Sequence, residues 1–107
     1  MAEVLSVNDA NFKAEVLESL TPVLVDFWAT WCAPCKQMSE IIDSVAPAYK
    51  GKVKVLKLNV DEATNIAAQY GITAVPTLIL FKRGKEAKRM VGVVSKQKLE
   101  DGLKGII

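Results

Sequence analysis

A chain of 107 residues, half of them apolar and 24% charged, has the size and balance of one small globular domain. With 14 basic and 12 acidic side chains, the formal charge of +2 is too small to argue for nucleic acid or an anionic membrane surface. Histidine is absent and there are only two cysteines. That excludes a Cys-His nucleophile and any His-containing metal site, and two cysteines alone do not complete a four-ligand zinc or iron–sulfur site.

No apolar stretch approaches the ~20 residues that span a bilayer. The start, Met1-Ala2-Glu3-Val4, lacks the basic-then-apolar pattern of a secretory signal. A cytoplasmic setting is expected, where thiols stay mostly reduced and a cystine closing so small a loop would be an odd staple.

Val4 to Val7 reads as a short strand. Asn8 or Asp9 can cap a helix that carries Phe12, Val16, Leu17 and Leu20 at helical spacing, until Thr21-Pro22 breaks it. Residues 23–28 are nearly continuous apolar, the pattern of a strand covered on both faces. Residues 34–49 place Met38, Ile41, Ile42, Val45 and Tyr49 on one helical face, with Pro34 in the first turn. Pro47 removes a hydrogen bond and crowds the carbonyl of Asp43, so a bend or fraying is expected over residues 43–47.

A strand over residues 53–60 and a short helix over 64–70 ending at Gly71 come next. Residues 77–81 form another apolar strand, and Lys82-Arg83-Gly84-Lys85 a hairpin turn, with Arg89 to Val94 pairing back. Ser95 caps a last helix with Leu99, Leu103 and Ile106 inward, its end loosened by Gly102 and Gly105. The alternating part demands parallel strands with right-handed crossovers, and the hairpin adds an antiparallel side. The expected fold is an α/β class, three-layer α/β/α sandwich in a single domain over residues 1–107.

The chemistry is expected at Trp31-Cys32-Ala33-Pro34-Cys35, a strand-to-helix junction. Two thiols two residues apart can close a disulfide ring and reopen it. Cys32 stands just before the helix, where unpaired N–H groups and the dipole favour a thiolate, the nucleophilic form. Cys35, one turn in and expected to be more buried, would resolve the mixed disulfide. The plainer reading is a pair of small buried residues.

Asp26 interrupts an apolar strand and has two readings. It is a buried ion pair with Lys57, whose strand parity suits the role, or a desolvated base that takes the proton of Cys35. Pro76, after Ala74-Val75, either starts a strand or carries a cis bond that sets Val75's backbone beside the cysteines. Gly92 is either a bulge or a place where another backbone approaches closely. Trp28 is expected in the core and Trp31 in a partly exposed contact surface.

Together, Asp26-Phe27-Trp28-Ala29, Trp31-Cys32-Ala33-Pro34-Cys35-Lys36, Lys57, Gly71 to Thr77, Phe81 with Gly84, and Gly92 sit at mutually consistent spacings. In these the whole chain resembles the thioredoxin family. The resemblance implies a thioredoxin fold with a five-stranded mixed sheet and four helices. It implies a monomeric protein-disulfide reductase that needs no cofactor, acts on disulfide-containing client proteins and is recharged by a thioredoxin reductase. It further implies that Pro76 is cis, that Asp26 is the buried base with Lys57 beside it, and that Trp31, Ala33, Pro34, Ala74, Val75, Pro76, Gly92 and Val93 border the substrate groove.

Three positions depart from the family pattern: Ala33 replaces a glycine, Glu40 replaces the helix-kinking proline, and Pro47 is additional. The Ala-Pro pair lacks the histidine of oxidising and isomerising relatives, which favours reduction. A redox-independent binding subunit and a cysteine-bridged metal dimer remain as alternatives.

Overall fold

The computed structural model describes residues 4–107. The start at Met1-Ala2-Glu3, on which the reading of no secretory pattern rests, lies outside the described residues. Five strands form one sheet: β1 (Leu5–Val7), β2 (Val23–Trp28), β3 (Lys54–Asn59), β4 (Thr77–Lys82) and β5 (Lys85–Val91), in the order β1-β3-β2-β4-β5. β3 runs parallel to β1 and β2, while β4 is antiparallel to β2 and β5, so the sheet is mixed. Four helical segments cover it: a π-helical segment at Lys13–Leu17, α1 (Ala33–Val45), α2 (Thr64–Gln69) and α3 (Lys96–Lys104).

Strand alternation sends side chains to two cores. On one face Leu24, Val55, Leu78, Leu80 and Met90 pack with Met38 and Ile42 of α1 and Leu99 and Leu103 of α3. On the other, Val25, Phe27, Leu56, Leu58, Ile79 and Phe81 pack with Phe12 and Val16. β2 lies at the centre of the sheet with all of Val23 to Phe27 buried, which explains its unbroken apolar run. This central strand carries Asp26 inside the molecule and delivers the chain to the cysteines.

The first helix is shorter than expected. It ends at Leu17, and Leu20 is 94% exposed instead of facing the core. The Ser19 hydroxyl donates to the Thr21 carbonyl at 2.8 Å, turning the chain toward Pro22 and β2 before another helical turn can form. Of the two candidate caps, Asn8 organises this segment, its Oδ1 accepting from Ala10 N at 2.9 Å and Asn11 N at 3.2 Å. Asp9 instead caps α2 from outside. Its carboxylate accepts from Ile66 N at 3.0 Å and Asn65 N at 3.3 Å, where the local cap residue, Ala63, has no acceptor to offer.

α1 gives way at Ala46 to a 3-10 turn over Ala46–Tyr49 that contains Pro47, so the break falls inside the expected 43–47 window. α2 closes as a Schellman motif: Gly71, at φ 64°, donates to Ala68 O at 3.0 Å and Ile72 to Ala67 O at 2.9 Å. The hairpin turn falls at Lys82-Arg83-Gly84-Lys85 as expected, but the returning strand starts and ends nearer to it than residues 89–94. Arg83 and Gly84 have φ of 53° and 78°, a two-residue turn that pairs Lys82 directly with Lys85, so β5 begins at Lys85 and ends at Val91. Val93 and Val94 lie beyond it, because Gly92 at φ 85° redirects the chain.

Gly102 is buried, and a Cβ there would meet Leu80 Cδ1 at 3.2 Å and Met90 Cε at 3.4 Å. Its helix-propensity cost therefore accompanies a close approach of α3 to the sheet.

Candidate active site

The site is assembled where β2 runs into α1. Cys32 is the N-cap of α1, with extended backbone (φ −99°, ψ 105°), and Cys35 lies in the first turn. The helix begins at Ala33, with Pro34 in its first turn as the missing N–H allows. Cys32 Sγ accepts a hydrogen bond from Cys35 N at 3.1 Å, so the helix terminus offers the sulfur both a donor and a favourable dipole. Cys32 and Cys35 are joined as a disulfide.

The two cysteines are almost equally buried, at 4% and 3% exposure, so the expected contrast in burial is absent. What separates them is their surroundings. Cys32 Sγ lies 3.7 Å from Val75 O. Cys35 opens inward on a cavity of about 280 Å³ that Asp26, Trp28, Lys57 and Glu40 also line.

Asp26 is 4% exposed, and its Oδ1 has no hydrogen-bond partner. Burial pushes its carboxyl from the ordinary 3.8 up to about 7; Lys57 opposes that rise and the carboxylate of Asp43 adds to it. Lys57 is directly opposite Asp26 in the β2–β3 register. Among the described residues, however, the two form no ion pair. The Lys57 Nζ stands 5.7 Å from the centroid of the Trp28 ring, a cation–π distance. The buried-ion-pair reading of Asp26 is thereby corrected: Lys57 is a neighbour that acts through space. Trp28, expected in the core, is half-buried against Ala29 and the cysteines.

The Val75–Pro76 peptide bond is cis. The turn is tied at both ends. The Thr77 hydroxyl, on a residue 2% exposed, donates to Ala74 O at 2.7 Å, and Gly92 N donates to Pro76 O at 2.8 Å. A Cβ at Gly92 would meet nothing within 4 Å, so the space above it is open. The sheet irregularity lies between Leu80 and Phe81, not at Gly92.

Around the disulfide, Ala33, Pro34 and Ala74 are exposed, Val75 is half-buried and Pro76 buried. Trp31 and Val93 are 70% and 38% exposed. The Trp31 indole N–H donates to Asp61 Oδ2 at 2.9 Å, and Asn59 Oδ1 in turn accepts from Asp61 N at 2.9 Å. Asp61, Thr77 and Val91 (60% exposed, beside Gly92) are not among the residues expected at the site. Strand alternation marks Val91, but nothing local marks Asp61 as a partner of Trp31. Among the described residues, no group of three or more His, Cys, Asp or Glu side chains is placed to hold a metal ion. No helix among them is long and apolar enough to cross a membrane.

Residues 3–105 match the thioredoxin family model. The chain belongs to the thioredoxin family. It is 53% identical over 96 residues to a thioredoxin of Rickettsia felis, covering 90% of this chain and 91% of that one. It is 50% identical over 103 residues to a thioredoxin of Synechocystis sp., covering 96% of each. A chloroplastic M-type thioredoxin of Spinacia oleracea is 50% identical over 101 residues, 94% of this chain and 56% of the spinach protein. The mixed sheet with four helices is the thioredoxin fold, and the Cys32–Cys35 pair at the start of α1 makes the chain a thioredoxin-type disulfide reductase.

Proposed function

We propose that the chain reduces disulfides in client proteins with unequal roles for its two cysteines. The Cys32 thiolate attacks one sulfur of a client disulfide, forming a mixed disulfide and expelling the other client sulfur as a thiolate. Cys35 gives its proton to Asp26, and its thiolate attacks Cys32 Sγ. The Cys32–Cys35 disulfide forms and the second client sulfur leaves, so two electrons pass to the client. A thioredoxin reductase returns the pair to the dithiol. The arrangement that carries this reading is the placement of the two sulfurs, one toward Val75 O and the other toward the cavity shared with Asp26.

The acceptor role of Asp26 is supported by a carboxyl raised to about 7, near the working pH at which a base is most effective. Lys57 moderates that rise. The groove that receives the client is formed by Trp31, Ala33, Pro34, Ala74, Val75, Pro76, Gly92 and Val93. The free space at Gly92 and the exposed Trp31 ring leave room for an extended segment to lie across the disulfide. The protein acts as a single-domain monomer in the cytoplasm, whose reducing poise keeps a dithiol donor charged.

A reductase-coupled insulin reduction assay tests this. Cys32→Ser is expected to abolish turnover, and Cys35→Ser to accumulate a mixed disulfide through Cys32. A Cys35→Ser protein that traps no client, or a Cys32→Ser protein that does, sinks the assignment of roles.

A further inference from the structure

The cavity behind the cysteines holds a residue that the exchange steps leave without a task. Glu40 lies on the exposed side of α1, where the family pattern has a proline. It lines the same cavity as Lys36, Ser39, Lys57, Cys35 and the buried Asp26. Lys36 and Glu40 are exposed, Ser39 and Lys57 half-buried and Asp26 buried, so the cavity runs from solvent inward to an unpartnered carboxylate oxygen.

Lys57 has two carboxylates within this one space and forms an ion pair with neither. Pairing with Asp26 would require a strongly hydrated ammonium to enter the low-dielectric interior, a desolvation of several kcal/mol. Glu40, in water, attracts the same ammonium without that penalty. Without Glu40 the only charged group at the mouth would be Lys36, whose like charge drives Lys57 inward.

We propose that Glu40 is a positioning residue for Asp26: from the cavity mouth its charge draws the Lys57 ammonium outward through space, toward the place it occupies by the Trp28 ring, so that the buried carboxyl keeps no ion-pair partner. The charged groups around Asp26 are Lys57 from β3 and Lys36, Glu40 and Asp43 from α1, with Cys35 held in the disulfide; its β4 neighbour is the apolar Leu78. The functional meaning rests on the reading of Asp26 as acceptor of the Cys35 proton: a carboxyl without an ion pair stays poised near neutrality, whereas a paired one would be a weak base.

The test is the pH titration of the Asp26 carboxyl by ¹³C NMR in the oxidised full-length protein, with Asp26→Asn identifying the signal. Glu40→Gln keeps a good helix former on the same face and removes only the charge. It is expected to lower the Asp26 midpoint by about 0.3 pH unit or more, the size of a modest charge–charge coupling. In a Lys57→Met background the same substitution is expected to shift the midpoint less than half as much. A smaller or opposite shift in the first comparison overturns the proposal. So does a shift at least half as large in the Lys57→Met protein, which would mean that Glu40 acts on Asp26 directly. The titration involves no client, so it stands whatever Asp26 does in exchange; a failure of the acceptor role would appear separately, as unchanged exchange rates in Asp26→Asn.

Discussion

Asp26 and Lys57 are register partners on adjacent parallel strands, yet the ammonium stands over the Trp28 ring and the carboxylate keeps a bare oxygen in the interior. Backbone pairing has brought opposite charges side by side without joining them. The balance favours this because the ammonium keeps part of its hydration on the cavity side, while a protonated Asp26 carries no charge to be compensated. The site thus contains a carboxyl that changes charge near neutrality, on the cavity that Cys35 also lines.

Stability should record that carboxyl. Its folded-state pKa of about 7 lies above the ordinary 3.8, so between these values the native state binds more protons than the unfolded chain. By linkage, stability falls as pH rises through this window and the loss is complete above it. A shift of about 3 units corresponds to roughly 4 kcal/mol at most. Asp26→Asn, which cannot ionise, should therefore be clearly more stable than the parent at pH 8 and close to it at pH 4. Urea unfolding of the oxidised proteins at both pH values measures this; a constant difference between the two pH values would show that Asp26 does not titrate in the window.

Asp9 makes a second, less visible contribution. It supplies the cap that α2 lacks, from 57 residues away in sequence. Asp9→Ala leaves the Asn65 and Ile66 N–H groups without their acceptor, and should destabilise the protein by about 1 kcal/mol. In a domain of this size that lowers Tm by roughly 4–8 °C. Asp9→Asn keeps an acceptor oxygen and should recover most of the loss. If alanine and asparagine behave alike in thermal melts, the cap is not what Asp9 provides.

Leu20 separates periodicity from packing. Its spacing from Phe12, Val16 and Leu17 places it on an apolar helical face, yet it is 94% exposed. Leu20→Ser should change stability by no more than about 0.5 kcal/mol, as for an ordinary surface site. Val16→Ala, at a fully buried position, should cost about 1 kcal/mol or more. Chemical denaturation of the two variants decides the matter, and a large loss at Leu20 would restore the longer helix.

These cases show where the sequence was readable. The order of strands and helices followed from periodicity and from Pro and Gly punctuation, and the cysteine pair from its place between an apolar strand and an amphipathic helix. The α1 break followed from Pro47. Misreadings arose where the deciding partner is distant or sterically subtle. Ser19's bond to Thr21 ends the first helix early. The largely polar run Lys85 to Lys88 hides the start of β5, which pairs from Lys85 onward at the sheet edge with those side chains in solvent. The parity of Lys57 correctly set it opposite Asp26, but parity carries no information on whether desolvation lets two charges meet. Trp31's bond to Asp61 and Asp9's cap on α2 depend on tertiary placement that no local pattern encodes.

Thr77 offers the most direct test of the groove. Its hydroxyl is buried and bonded to Ala74 O at 2.7 Å, across the cis Val75–Pro76 bond, in the turn that sets Val75 O 3.7 Å from Cys32 Sγ. Thr77→Val preserves the shape and removes the donor, leaving a carbonyl of the turn without its partner. The stability cost should be about 1–3 kcal/mol. The functional effect should be separable from it. If the turn presents the client to Cys32, relaxing it should raise KM for a disulfide client several-fold, while reaction of the Cys32 thiol with a small alkylating reagent, which needs no groove, stays within about 2-fold of the parent. Steady-state client reduction and alkylation, measured side by side below the unfolding transition, read the two effects. Equal losses in both would mean that Thr77 supports the cysteines generally; a raised KM alone assigns it to the alignment of the client.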